Sequence, residues 1–224
     1  MGRSPLIKNH EYPFHIYNQV NNREAFPLRI RAVWTIFATE LMRMHLVRSL
    51  RIHAFVLMPN HYHALVTSPA QSLGDVMKDF AGTVSLAMNS ISGRVGHSFR
   101  GRYRWTLVED NRHFATVLKY IYRNPVKAGL SKRCEDYSQS TLQPLIGLRA
   151  DRLQIHPPMI PGFMAACPDD PFEFLEWLNT PFRNEKAEAA IQRGLRRRRF
   201  ELSGKLWPKN DNNDPYLARH PVRK

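Results

Sequence analysis

The chain has 224 residues, 43% of them hydrophobic, and a formal net charge of +14. This length suits one domain, or one domain with an elaborated tail, and the charge indicates a polyanionic partner, most often nucleic acid, over a merely soluble basic protein. The only cysteines, Cys134 and Cys167, form neither a disulfide framework nor a zinc–cysteine spacing. With no signal peptide in residues 1–14 and no segment long enough to span a bilayer, the expected location is cytoplasmic.

The hydrophobic pattern predicts seven regular elements along the first two thirds of the chain. In chain order they are a strand at 12–20, a helix at 27–47 with Pro27 in its first turn, strands at 50–58 and 61–67, a helix from a Ser72 cap to about Ser90, a strand around 101–108, and a helix capped by Asp110 or Asn111. The regular part of the last helix is expected to end near Asn124. This order predicts an α+β, ferredoxin-like fold, a split β-α-β arrangement over a central antiparallel sheet.

The composition changes after about residue 145. Proline-rich connections, two short helical stretches and the basic run "QRGLRRRRF" follow. We therefore predict a domain over residues 1–145 and a basic, mainly helical C-terminal extension over 146–224. Its last fifteen or so residues are polar and are expected to be loose.

Two histidines stand in the apolar run "FVLMPNHYHALVTSP" (55–69). Side chains alternate faces along a strand, so His61 and His63 point the same way and could supply half of a divalent metal site. An H-x-H spacing alone is a weak indication, and two polar residues on a solvent-facing side would look the same.

The helix expected in "NRHFATVLKYIYRNPVKAGL" (111–130) could bring further polar side chains to the two histidines. Its core face is expected to consist of Phe114, Val117, Leu118 and Ile121. Tyr120 and Asn124, four residues apart, then share one flank, whereas Tyr122 lies on the other. Lys119 and Arg123 are expected to point away from the core. Tyr120 could instead be an ordinary edge residue, and Asn124 could simply cap a new helix starting at Pro125.

Two basic segments suit nucleic acid. In "GRVGHSFRGRYRW" (93–105), arginines that can hold phosphates interleave with aromatic rings that can stack on unpaired bases. The candidate DNA-binding residues are Arg94, Phe99, Arg100, Arg102, Tyr103 and Arg104, together with Arg196, Arg197 and Arg198 in the later run. A basic surface hairpin and a solvated helix end are the alternatives.

Together, "FVLMPNHYHALV", "FRGRY" and "YIYRNPVKAGL" resemble the single-tyrosine transposases of the HUH nuclease superfamily, and among them the REP-associated tyrosine transposases. The resemblance covers roughly residues 10–145. It implies that His61, His63 and Asn124 bind Mg²⁺ or Mn²⁺ and that Tyr120 is the nucleophile. It also implies cleavage and rejoining of single-stranded DNA next to hairpins through a 5′-phosphotyrosine. The tail departs from the family pattern, because "LRRRRFELSG" stands where a glycine and a proline are expected.

Three readings remain open at this point. The chain could be an active transposase, an inactive relative that only binds hairpin DNA, or a metal-dependent hydrolase unrelated to nucleic acid. The resemblance does not decide between a monomer and a homodimer.

Overall fold

The computed structural model describes residues 5–149, 153–159, 162, 164 and 166–202. The strands are β1 (Phe14–Gln19), β2 (Arg51–Leu57), β3 (His61–Thr67) and β4 (Arg104–Leu107). The helices are α1 (Ile30–Arg48), α2 (Leu73–Ser92), α3 (Asn111–Lys127), α4 (Leu142–Leu145), α5 (Pro171–Asn179) and α6 (Glu185–Gly194). The predicted order of the first seven elements is confirmed. The expected looseness of the last fifteen residues concerns a region outside the described residues.

The four strands form one antiparallel sheet in the order β2-β3-β1-β4, which is the ferredoxin-like arrangement. Helices α1 and α2 pack against each other on one face. Helix α3 covers the other face, mainly over β2 and β3. Both faces of β3 are therefore covered, which explains why its apolar run does not alternate cleanly with polar residues.

Some helix boundaries differ from the prediction. Helix α1 begins at Ile30, so Pro27 lies before it. Ser72 caps α2 as expected, its hydroxyl accepting a hydrogen bond from the Gly74 N–H. Asp110 caps α3 by accepting hydrogen bonds from two backbone N–H groups. Helix α3 continues through Pro125 to Lys127, so the interpretation that a new helix starts at Pro125 is wrong.

The described part of the C-terminal extension packs on α3 and shares its core. Phe174, Trp177 and Leu178 of α5 and Ile191 of α6 belong to the same buried cluster as the core face of α3. The expectation that Lys119 and Arg123 point away from the core therefore fails, because α5 lies over that side. Lys119 is 4% exposed with Nζ 5.1 Å from the Trp177 ring centre, and Arg123 donates to the carbonyls of Leu178 and Asn179.

Both edges of the sheet are covered by later parts of the chain. On the β2 side, Leu57 N–H donates to the Gln139 carbonyl, and Thr141 N–H donates to the Phe55 carbonyl. On the β4 side, Arg199 lies in parallel register with Leu107. None of the described helices combines the length and apolar composition needed to cross a membrane.

Candidate active site

Strands β1 and β3 present a group of rings on the face that α3 covers. Tyr17 lies directly opposite His63 in the register, and His61, two residues from His63, shares its face. The ring centres of His61 and His63 are 5.2 Å apart. The Tyr17 ring lies 5.3 Å from His61 and 5.1 Å from His63. The predicted pairing of the two imidazoles on one face is thus present, with Tyr17 beside both.

Each imidazole has one nitrogen engaged. His61 Nδ1 lies 2.7 Å from Asn60 Oδ1, while the nitrogen of the same amide donates to the Arg23 carbonyl at 2.9 Å. An amide oxygen can only accept, so His61 donates from Nδ1 and, when neutral, keeps its lone pair on Nε2. His63 Nδ1 lies 2.9 Å from His15 Nε2, and both of these rings are buried.

Burial keeps these imidazoles neutral. It lowers the pKa of His61 to about 4, that of His15 to about 3, and that of His63 well below its ordinary value. Neutral imidazoles carry the lone pairs that bind divalent metals.

Tyr120 meets this group from α3. Phe114, Val117, Leu118 and Ile121 are all buried, as the helical spacing predicts. They hold the helix on the sheet so that the Tyr120 ring lies edge-on to His63, with 5.7 Å between ring centres. Tyr122 does not reach this site, because its buried hydroxyl hydrogen-bonds to Thr141 Oγ1 at 3.0 Å.

The environment of Tyr120 disfavours its phenolate. The residue is 9% exposed, and burial raises its pKa to about 12. The charge of Glu188 on α6 adds to the rise. Arg196 and a hydrogen bond from Gln192 act in the opposite direction. The C-terminal extension thus contributes directly to the surroundings of this hydroxyl.

Asn124 lies one helical turn after Tyr120, and its side chain replaces a backbone hydrogen bond that the following proline cannot make. Pro125 has no N–H to give to the Ile121 carbonyl. Asn124 Nδ2 lies 3.3 Å from that carbonyl oxygen and 2.8 Å from the Tyr120 carbonyl oxygen, and donates to both. The amide nitrogen is therefore committed to the helix, and the amide oxygen is the atom it can offer to a ligand.

Imidazole nitrogens and an amide oxygen are donors that a divalent ion accepts, and phosphate oxygens can complete its coordination. The described residues contain no group of three or more His, Cys, Asp or Glu side chains able to hold a metal. A metal here would depend on two imidazole nitrogens and the Asn124 oxygen, with the remaining positions left to phosphate oxygens or water.

The arginines of the two basic segments are exposed, whereas two of the aromatic candidates are not. Arg94, Arg100, Arg102, Arg104, Arg196, Arg197 and Arg198 all face solvent. Phe99 and Tyr103 are 6% and 7% exposed and lie in the core between the sheet and α1–α2. Their burial leaves no ring face for a base, so the expectation of base stacking by these two residues is wrong in this conformation.

Arg104 stands nearest to the imidazole pair in the register. It is paired with Tyr17 across β1 and β4, and therefore lies on the same face as His61 and His63. The charges of Arg104, Arg23 and Arg100 all lower the pKa of the Tyr17 hydroxyl, although burial raises it more. This end of the site is thus positively charged.

Sequence reasoning missed His15, Tyr17, Asn60 and Gln192. A signal for the first two was present, because His15 and Tyr17 alternate with apolar residues in "FHIYNQ" and the predicted fold pairs β1 with β3. Gln192 carried none, since its approach to Tyr120 depends on how α6 packs.

Comparison with known proteins identifies the family of the chain and supports its fold. The family model described as "Transposase IS200 like" matches residues 11–124. A solved REP-associated tyrosine transposase bound to a REP hairpin superposes with a TM-score of 0.58 at 18% identity, covering 70% of this chain and 96% of that one. A candidate transposase from Deinococcus radiodurans R1 gives a TM-score of 0.37 at 20% identity, covering 54% and 94%. No curated protein sequence matches. With half of its length matched by the family model, the chain belongs to the IS200-like transposases.

Proposed function

We propose that this chain cleaves and rejoins single-stranded DNA next to hairpins, with Tyr120 as the nucleophile and Mg²⁺ or Mn²⁺ as the cofactor. The observation that carries the proposal is the approach of the Tyr120 ring to His63, at 5.7 Å between ring centres, within one chain. Membership of a transposase family supports DNA strand transfer in general. The solved relative bound to a REP hairpin supports a hairpin as the partner.

Each group in the site has its own part in the chemistry. His61, His63 and the Asn124 oxygen would hold the divalent ion, which would supply positive charge to polarise the scissile phosphate. Tyr120 Oη loses its proton and bonds to phosphorus, and the 3′ oxygen leaves and takes up a proton. The result is a 5′-phosphotyrosine and a free 3′-hydroxyl. Attack by a 3′-hydroxyl on the same linkage reseals the strand and restores the tyrosine.

The exposed arginines bind the DNA backbone. Arg104 lies opposite Tyr17 in the register, and Arg94, Arg100 and Arg102 precede it in the same segment. Arg196, Arg197 and Arg198 follow α6. Contacts of this kind release counterions, so the affinity for DNA falls steeply as salt rises. A hydrolase that acts on something other than nucleic acid would show no such dependence.

A covalent adduct tests the proposal. The protein is incubated with a labelled hairpin-bearing single strand and Mn²⁺, and the products are separated under denaturing conditions. Wild type is expected to give a protein–DNA adduct that Tyr120→Phe abolishes. Tyr122→Phe is the matched control, because Tyr122 lies on the same helix with its hydroxyl bonded to Thr141, and it keeps the adduct. An adduct that survives Tyr120→Phe contradicts the assignment.

One observation favours a second function, hairpin binding without cleavage. Tyr120 is buried, and its pKa is raised to about 12, so the free protein does not hold a ready phenolate. Salt-sensitive hairpin binding with no adduct across varied hairpins and both metals would establish this second function in place of the first.

A further inference from the structure

We infer that His15 and Asn60 are positioning residues that hold His63 and His61 in the one tautomer that presents Nε2 to a metal. The inference rests on the proposed function, because metal binding is what would require each imidazole to keep one tautomer. His15 contacts Nδ1 of His63, and Asn60 contacts Nδ1 of His61. Neither belongs to the H-x-H motif, since His15 lies on β1 and Asn60 directly precedes β3.

The contacts of Asn60 allow only one placement of its amide nitrogen and oxygen, and this placement fixes the tautomer of His61. Its nitrogen must face the Arg23 carbonyl, which cannot donate, so its oxygen must face His61 Nδ1. Asn22 and Arg23 both adopt left-handed backbone angles, with φ of 55° and 59°. Such angles are costly for residues other than glycine, and they occur here in the turn whose carbonyl orients Asn60.

His15 acts on His63 from the neighbouring strand. The Nε2–Nδ1 distance is 2.9 Å, the two rings stack with 5.2 Å between centres, and the residues are 3% and 5% exposed. Either ring could donate in this contact. Only donation from His63 leaves its Nε2 with a lone pair, which matches the state that Asn60 imposes on His61. An outer partner on the second nitrogen is how proteins usually fix a metal-binding histidine.

The metal-free protein provides a direct test that needs no variant. Long-range ¹H–¹⁵N spectra distinguish the protonated from the bare ring nitrogen. We expect both His61 and His63 to carry the proton on Nδ1. A proton on Nε2 of His63 would overturn the role of His15, and a proton on Nε2 of His61 would overturn that of Asn60.

Variants then measure the effect on metal affinity by calorimetry with Mn²⁺ alone. His15→Phe keeps a ring but removes the acceptor, and we expect affinity to fall by about 10- to 100-fold. His15→Gln can return an acceptor near the Nε2 position and should recover much of the loss. Asn60→Ala should weaken binding to a similar extent.

His53→Gln is the matched control. His53 is equally buried on the same sheet, but its nitrogens contact the His156 carbonyl and Thr67 Oγ1. Its replacement should lower stability without changing Mn²⁺ affinity. Unchanged affinity in folded His15→Phe would contradict the inference, as would an equal loss in His53→Gln. Because these measurements use no DNA, they succeed or fail separately from the cleavage assay.

Discussion

Asn124 offers a way to separate a structural role from metal binding in a single residue. In the metal-free protein, Asn124→Ala removes two hydrogen bonds, to the carbonyls of Tyr120 and Ile121. At about 1 kcal/mol for each bond, we expect the free energy of unfolding to fall by about 1–2 kcal/mol. The bond to Ile121 matters because Pro125 cannot supply an N–H there.

A double-mutant cycle tests this reasoning. Pro125→Ala returns a backbone N–H at position 125, which can bond to the Ile121 carbonyl. In that background Asn124→Ala should cost about 1 kcal/mol less, as measured by urea unfolding with EDTA present. An identical fall in the free energy of unfolding in both backgrounds would refute the conclusion that Asn124 replaces the missing hydrogen bond to the Ile121 carbonyl.

The same variants report on the metal. Calorimetry with Mn²⁺ should show weaker binding for Asn124→Ala and no recovery in the double variant, because a backbone N–H cannot replace a ligand oxygen. Pro125→Ala alone should bind Mn²⁺ as the wild type does. Full recovery of binding in the double variant would show that Asn124 acts only through the helix, and unaffected binding in the single variant would exclude it as a ligand.

Three further predictions follow from the site and the core. Mixing His63→Ala with Tyr120→Phe should restore no DNA cleavage, because the imidazole and the phenol meet within one chain; regained activity would indicate sites assembled from two chains. Arg196→Gln should slow cleavage and shift its pH profile to higher pH, because Arg196 lowers the pKa of Tyr120. Arg197→Gln should only weaken DNA binding and reduce its salt dependence. Equal pH profiles for the two variants would argue against this role of Arg196. Burial lowers the pKa of His53 to about 4 from an unfolded value near 6.5. The unfolded state therefore binds the proton first, and up to about 3 kcal/mol of the free energy of unfolding is lost as pH falls from about 6.5 to 4. Urea midpoints should show this loss, and a pH curve that His53→Gln leaves unchanged would contradict it.

Local pattern was enough to predict the sheet and the flank of α3 that carries Tyr120, whereas the meeting of Tyr120 with the histidines was implied by the family resemblance. Strand β3 begins and ends at the predicted residues, 61 and 67. The flank assigned to Tyr120 follows from 3.6 residues per turn once the core face of α3 is recognised. Both results depend on neighbours within one element and on the strand order of a common fold.

The failures have a common physical cause, which is packing between parts of the chain far apart in sequence. Lys119 looked exposed because α3 alone shows it on the polar side, but α5 closes over it with Trp177. Phe99 looked available to a base because it lies among arginines and glycines, yet its ring fills space beside Phe37 and Tyr62. Neither contact leaves a periodic trace in the sequence.

The pairing of the C-terminal segment with β4 has a consequence for the order in which the molecule can assemble. Leu107 N–H donates to the Arg198 carbonyl, Phe200 N–H donates to the Leu107 carbonyl, and Thr106 Oγ1 donates to the Leu195 carbonyl. Residues up to Phe200 must therefore leave the ribosome before this edge of the sheet can be paired, so folding is slow to finish during synthesis. A fragment cut at residue 145 would expose that edge and the side of α3 that α5 and α6 cover, and should aggregate instead of behaving as an autonomous unit.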